Sequence, residues 1–178
     1  MKKRRVNPRR IPLPKSKVDS EAILDEATKD DIYRAWLLVG NAILELDLIP
    51  SDELPQLVNK VNQYIAEPSD DAKRTAEMLR AERTMGIPIP AKRLDPKDVH
   101  SEAELKSFKK KVYQLATFTA LCVLYLALEK SSFFDEQKLS RIFLNVNVTL
   151  AEIESGINSY GQLEKELGKY LHILPTGE

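Results

Sequence analysis

The sequence predicts an all-α protein, a single compact bundle of about six helices around one central apolar helix, with an extended basic N-terminal arm. Three observations predict this class. Apolar residues recur at helical spacing along most of the chain, capping pairs precede two of the segments, and residues 112–128 contain no charged residue. With 178 residues, the chain is long enough to bury one core without disulfides or metals.

The uncharged run is the predicted centre of the fold, within a helix from about 101 to 129. Ser101 and Glu104 form a capping box at its start. A helix that is apolar on every side must be buried in a protein core or in a bilayer. The run has 17 residues, which is short of the roughly 20 that cross hydrocarbon, and it contains Gln114, Thr117 and Thr119. We therefore expect a core helix and no membrane span.

The arm, residues 1–18, is predicted to be extended and flexible, because Pro8, Pro12 and Pro14 oppose helix formation. Residues 1–17 hold eight basic residues and no acidic one, so the rest of the chain carries 19 basic against 27 acidic residues. Two interpretations follow from this charge. The arm attaches to phosphate backbone or to an acidic protein surface, or it is a solubilising tail without a specific partner.

The helical domain is predicted to cover residues 19–174. Its first helix should run from about 20 to 47, with Trp36 in the apolar stripe as a buried anchor; an exposed binding hot spot is the alternative. After Pro50, further helices are predicted over about 52–67 and 71–85, the latter closed by Gly86. The third helix is heavily charged and only weakly apolar, through Ala72, Ala76, Met78 and Leu79, and is therefore expected to be peripheral.

Two helices are predicted after the central one. The helix from about 135 to 155 carries a long apolar stripe, and Gly156 ends it. A short strand over 146–150 competes with it, because those residues alternate and are partly β-branched; the longer helical stripe favours the helix. Ser159 and Gln162 cap a last helix to about 171. The stripe consists of Leu139, Ile142, Phe143, Val146, Leu150 and Ile153.

The two halves of the chain contain similar sequence segments. Residues 11–19 (IPLPKSKVD) match residues 87–95 (IPIPAKRLD), and Ser-Glu-Ala follows at 20 and again at 101. At an offset of 85 residues, the apolar positions between 54 and 65 fall on those between 139 and 150. We hypothesise pseudo-repeats 19–86 and 101–171 joined by a linker, 87–100. The alternative is chance, because any two amphipathic helices can be slid into register.

The residue types present do not indicate an enzyme. Two histidines and one cysteine cannot make a Cys/His zinc site of the usual kind, and no Ser-His-Asp set or glycine-rich phosphate loop is evident. We therefore expect no catalytic residue, metal or cofactor. Cys122 lies inside the apolar run, which predicts a buried thiol and a reducing compartment. Because residues 1–17 lack an apolar signal core, the expected location is the cytoplasm.

The candidate binding residues are basic and occur in the arm and in a second cluster around the start of the central helix. Together they could form a positive surface that contacts nucleic-acid phosphates or an acidic protein face. No aromatic residues interleave with the basic residues of the arm, so base stacking is not expected there. The predicted site comprises Lys2, Lys3, Arg4, Arg5, Arg9, Arg10, Lys15, Lys17, Lys92, Arg93, Lys109, Lys110 and Lys111.

Residues 4–12 (RRVNPRRIP) resemble the start of small proteins encoded by phages and prophages of gut Firmicutes, and residues 30–36 (DDIYRAW) are similar in style to their helical bodies. In size and character the chain also resembles the type II-A anti-CRISPR proteins found among them, which inhibit Cas9. The resemblance implies a non-enzymatic phage protein that evades host defence in the bacterial cytoplasm. Its implied partner is Cas9 with guide RNA, whose DNA binding or cleavage it would block.

Two other functions stay open from the sequence. The chain could be a sequence-insensitive phage accessory protein that binds DNA or RNA backbone through its basic residues. It could also be a structural or assembly protein whose arm docks on a partner. In neither case does the sequence predict attachment to a membrane.

Overall fold

The computed structural model describes residues 20–67, 71–88, 99, 101–168 and 170. These residues form seven helices and no strand, which confirms the predicted all-α bundle. The predicted arm and most of the linker, with ten of the thirteen candidate binding residues, lie outside the described residues. The helices are α1 (Ser20–Lys29), α2 (Asp31–Glu45), α3 (Leu54–Ala66), α4 (Asp71–Thr84), α5 (Glu102–Lys130), α6 (Glu136–Ser155) and α7 (Tyr160–Leu167).

The central helix α5 is the predicted core helix. The Ser101 hydroxyl accepts a hydrogen bond from the Glu104 backbone N–H at 3.3 Å, as the capping box predicted. Within the described part of the chain, α5 is the one helix long and apolar enough to cross a bilayer, but 67% of its apolar window is buried inside the protein. Leu121, Leu124 and Leu128 have no exposed surface. This burial favours the core helix over a membrane span.

The first predicted helix is two helices, because the chain turns at Asp30 between α1 and α2. The Asp31 carboxylate accepts a hydrogen bond from the Ile32 backbone N–H at 2.6 Å, and such local bonds compete with a continuous helix. The break separates two apolar clusters. Ile23 and Ala27 of α1 pack with the first half of α5, whereas α2 enters the main core around Trp36.

Trp36 is fully buried, which confirms the predicted anchor. Its helix, α2, lies against α5 at the centre of the bundle and is enclosed on nearly every side, since all nine residues 35–43 are buried. Gly40 permits a close approach, because a Cβ built there would lie 3.2 Å from Leu167 Cδ2 of α7. The two most buried helices therefore form one central pair.

The outer helices pack on this pair reciprocally. Helices α3 and α4 of the first hypothesised repeat lie on α5, and α6 and α7 of the second lie on α2. Leu54, Leu57, Val58 and Val61 are buried, and so are their partners at the offset of 85, namely Leu139, Ile142, Phe143 and Val146. Two units related by an approximate twofold axis would show this arrangement, in which the outer helices of each unit pack on the central helix of the other. The duplication itself stays a prediction.

Helix α4 is peripheral, and of its weakly apolar positions Met78 packs against the core. Leu79 is 45% exposed and Ala76 is exposed, whereas Ala81 and Met85 are buried. The side chain of Ala72 lies outside the described part. Helix α4 therefore packs mainly through its C-terminal half, and the chain reverses at Gly86, where φ is +69°.

Helix α6 confirms the helical interpretation of residues 135–155 and excludes the strand over 146–150. Asp135 caps it by accepting from the Lys138 backbone N–H at 2.8 Å, and Gly156 ends it with φ of +77°. Helix α7 begins as predicted at a Ser159 cap, which accepts from the Gln162 backbone N–H at 3.3 Å. Its α-helical part ends at Leu167, before Gly168 with φ of +46°; Gly168 and Tyr170 are in 3₁₀ conformation, and the predicted end at about 171 lies outside the described residues.

Candidate binding cleft

A cavity of about 600 Å³, open to solvent, lies between α5 and α6 and is called the cleft below. Both helices pack extensively on α2 but touch each other sparingly, and the space left between them is the cleft. The lining residues are Arg34 of α2, Ile87 and Pro88 after α4, Lys110, Tyr113, Gln114, Thr117, Phe118 and Leu121 of α5, Asn147, Leu150, Ala151, Ile153 and Glu154 of α6, and Tyr160 of α7.

Helical spacing places the two walls opposite each other. On α5 the stripe Lys110, Gln114, Thr117 and Leu121 follows the spacing at which side chains share one face. Asn147, Leu150 and Glu154 do the same on α6. One hydrogen bond joins the walls, because Gln114 Nε2 donates to Glu154 Oε1 at 2.6 Å. The polar residues that interrupt the apolar run of α5 therefore have a place in the structure: Gln114 and Thr117 line the cleft, and Thr119 is exposed.

The floor of the cleft is apolar and its rim is polar. Phe118 and Leu121 of α5 belong to the main core, and Leu150 and Ile153 of α6 are partly buried against it. Arg34 lies on the rim with its guanidinium carbon 4.7 Å from the centre of the Tyr113 ring. This cation–π contact orients the guanidinium group. An apolar floor with a few fixed polar groups is typical of a binding site.

Arg34 is held from two sides, since one of its nitrogens also lies 3.5 Å from the Asp30 carboxylate. Its side chain is 22% exposed. The positive charge of Arg34 is thus partly balanced by Asp30. The group can still donate hydrogen bonds toward the cleft, because a guanidinium has five N–H donors.

Two tyrosines of the cleft keep their protons at neutral pH. Burial raises the pKa of Tyr113 above its ordinary value of 10.0, and a hydrogen bond with Glu26 raises it further. Burial also raises the pKa of Tyr160, although a hydrogen bond with Thr117 acts in the opposite direction. Both phenols are therefore neutral hydroxyls and are not bases or nucleophiles at pH 7.

The three predicted lysines of α5 do not form one patch, because successive residues of an α-helix are turned by about 100°. Lys110 is exposed and lies at the cleft. Lys109 turns toward α1, where its Nζ is 3.7 Å from the Glu26 carboxylate. Lys111 is exposed on another side. Lys106, one turn before Lys110, is exposed on the same side of α5 as Lys110 but does not line the cleft.

The other candidate binding residues, Lys2, Lys3, Arg4, Arg5, Arg9, Arg10, Lys15, Lys17, Lys92 and Arg93, lie outside the described residues. The sequence did not predict the cleft, because four helices that are distant in the chain line it. Arg34 falls in the stretch that carries the resemblance to phage proteins, but nothing in the sequence alone places it beside Tyr113. The polar interruption at Gln114 and Thr117 was the available signal.

The cleft lining carries groups that can bind a partner. Within the described ranges, no three histidine, cysteine, aspartate or glutamate residues come together as a metal site. The thiol of Cys122 is buried in the main core, away from the cleft lining. Protonated tyrosines, an oriented guanidinium and an exposed ammonium can hold an anionic or hydrogen-bonding partner, and the apolar floor can accept an apolar side chain.

Comparisons with protein-family models, with curated proteins and with solved structures find no match. The resemblance to phage proteins therefore rests on residues 4–12 and 30–36.

Proposed function

We propose that this protein is a non-enzymatic, phage-encoded inhibitor that binds a host nuclease complex, Cas9 with its guide RNA, and blocks DNA binding or cleavage. The observation that carries the binding role is the open cleft with a cationic rim on α5. The nuclease is named from the resemblance of residues 4–12 and 30–36. The proposed place of action is the cytoplasm of the bacterial host.

The charge of the rim supports a partner that carries negative groups. Lys106 and Lys110 lie one turn apart, both are exposed, and neither has an ion-pair partner among the described residues. Unpaired lysines attract phosphates or carboxylates from a distance and increase the rate of association. A guide RNA backbone or an acidic segment of the nuclease supplies such groups.

The apolar floor supports a protein contact in addition to the electrostatic one. Buried aromatic or aliphatic side chains at the centre of an interface provide most of the binding free energy, whereas rim charges mainly set rate and orientation. A side chain from the nuclease that enters the cleft beside the half-buried Leu150 and Ile153 would supply this central contact. The proposed complex should consequently retain part of its affinity at high salt.

The decisive experiment is a cleavage assay with purified Cas9 from a Firmicutes host. Guide-loaded Cas9 is incubated with increasing amounts of the full-length protein, and cleavage of a matched DNA duplex is then followed. We expect the cleaved fraction to fall with near-stoichiometric inhibitor. Complete cleavage at excess protein, for Cas9 enzymes from several such hosts, would overturn the proposal.

Variants of α5 test whether inhibition depends on the lysines near the cleft or only on the overall positive charge of the protein. Lys106→Glu with Lys110→Glu should raise the inhibitor concentration needed for half-inhibition by about tenfold or more. Lys111→Glu is the matched control, because it reverses a charge on the same helix but on another side. Equal effects of Lys110→Glu and Lys111→Glu would show that the cleft is not the site.

A second candidate is a sequence-insensitive nucleic-acid-binding accessory protein, which the unpaired lysines of α5 also favour. Binding to plain DNA duplex should then weaken linearly on a log–log plot against salt, with a slope near −0.9 for each phosphate contact. Affinity for unrelated duplexes should be equal. Steep salt dependence without inhibition of cleavage would favour this candidate over the nuclease inhibitor.

A further inference from the structure

The outer face of α6 concentrates exposed apolar side chains. Among the described residues, five large apolar side chains are exposed, and three of them lie in α6 or directly after it. Leu144 is 65% exposed, Val148 is 53% exposed and Ile157 is 78% exposed. Single exposed apolar residues are ordinary on a protein surface, but a contiguous group indicates an interaction surface.

Two of these residues, Leu144 and Val148, form one stripe along α6 with the exposed Ala151, and Ile157 follows the end of the helix. Leu144, Val148 and Ala151 are spaced by four and three, so they share a side of the helix. The opposite side, with Ile142 and Val146, is buried against the core. This exposed stripe, Leu144, Val148 and Ala151, is called the α6 face below.

The charges on one flank of the α6 face are segregated along the helix. On this flank Lys138 and Arg141 lie toward its beginning and Glu152 lies toward its end, whereas the acidic Glu136 and Glu154 lie on the other flank. No ion pair of Lys138 or Arg141 occurs within the described part of the chain. Arg141 and Glu152 are 11 residues apart, which is about three helical turns, so they flank the α6 face on nearly the same side.

This charge pattern is complementary to that of a second α6 helix that runs in the opposite direction. In an antiparallel pair of α6 helices, Arg141 of one copy lies beside Glu152 of the other on this flank, and the same contact occurs twice about a twofold axis. A purely acidic or purely basic partner would meet repulsion at one end. The pattern therefore favours a second copy of this chain as the occupant.

We propose that the protein forms a homodimer through antiparallel packing of the α6 faces. Val148 lies near the twofold axis, Leu144 of each copy packs near Ala151 of the other, and Arg141 pairs with Glu152 of the other copy. Such a small contact belongs to the class of weak, reversible interfaces. The dimer goes beyond the proposed inhibitor function, because its interface is the α6 face, which shares only Ala151 with the cleft lining.

Sedimentation equilibrium of the full-length protein tests the dimer. We expect the average mass to rise from one chain to two as the concentration increases through about the micromolar to hundred-micromolar range. Leu144→Lys and Val148→Lys should each weaken dimerisation about tenfold or more. Leu79→Lys is the matched control, because Leu79 is an exposed leucine on α4 and its replacement should leave dimerisation unchanged.

Charge exchange tests the antiparallel arrangement. Arg141→Glu should weaken the dimer, since it places two carboxylates together at both ends, and the double variant Arg141→Glu with Glu152→Arg should restore it. A monomer at every concentration would overturn the proposal. A dimer that Leu144→Lys affects no more than Leu79→Lys, or that the charge exchange does not restore, would overturn the α6 interface. Circular dichroism should show native helix content for each variant.

Discussion

The guanidinium group of Arg80 donates two hydrogen bonds to the carboxylate of Glu129, at 2.7 and 2.5 Å. Arg80 belongs to α4, which buries little of itself, and Glu129 lies near the end of α5. A second pair, Lys130 Nζ to Glu77 at 3.2 Å, lies beside the first. The peripheral helix is therefore held to the central one by charge as well as by Ala81 and Met85.

Glu129→Gln should lower the free energy of unfolding at pH 7 by about 0.5–1 kcal/mol, because the pair is bidentate but partly exposed to solvent. The Arg80 hydrogen bond lowers the pKa of Glu129 below its ordinary value of 4.5. A carboxyl whose pKa is lowered by folding stabilises the protein above its unfolded pKa, and this stability disappears as the pH falls through the folded pKa.

The difference between the wild type and Glu129→Gln should consequently shrink below about pH 4.5. Urea unfolding at several pH values measures it. Glu166→Gln is the control, because it removes the same charge from an exposed position of α7. A difference that stays constant down to pH 3 would contradict the role assigned to the pair.

Asn41 joins α7 to α2 through a buried hydrogen bond. It is 4% exposed, and its Nδ2 donates to the Leu37 carbonyl at 2.8 Å and to the Leu163 carbonyl of α7 at 3.2 Å. Asn41→Ala leaves the Leu163 carbonyl without this donor, and we expect a loss of about 1–3 kcal/mol. Since α7 has only eight residues, hydrogen exchange of its amides should accelerate more than that of α3.

Asn145→Ala is the control for Asn41→Ala, because the bond from Asn145 to Glu45 is exposed. It should leave α7 exchange unchanged. Uniform acceleration in all helices of the Asn41 variant would show that Asn41 supports the whole bundle and not the attachment of α7 alone.

Gly40 sets the distance between α2 and α7. A Cβ at Gly40 would already lie 3.2 Å from Leu167 Cδ2, so Gly40→Val should force α7 outward and lower the thermal midpoint by several degrees. Gly161→Ala is the contrasting variant, because space at Gly161 is open. It should raise stability by up to about 1 kcal/mol, since alanine favours helix more than glycine does. An unchanged midpoint for Gly40→Val would contradict the close approach.

Local patterns predicted the helices well, because apolar periodicity and caps are properties of contiguous residues. Ser101, Asp135 and Ser159 lie at the helix starts that the sequence indicated, and Trp36 is the expected anchor. The turn at Asp30 was not predicted, because apolar residues occur on both sides of it. Only the tertiary packing assigns those residues to two different clusters. The cleft was not predicted either, because Arg34, Tyr113 and Tyr160 come from three helices and no spacing in the chain relates them.

Because α5 lies at the centre of the bundle, we expect a charge at Leu124 to unfold the protein. Leu124 has no exposed surface and lies in the main core. Leu124→Asp buries an unpaired charge, whose cost exceeds what a domain with about 5–15 kcal/mol of total stability can tolerate. The variant should lack native helix content by circular dichroism. Leu124→Ala should stay folded and lose about 2–5 kcal/mol in urea unfolding. Thr119→Asp, an exposed position on the same helix, should remain close to wild type. A folded Leu124→Asp protein with a native urea midpoint would mean that α5 is not the centre of the bundle.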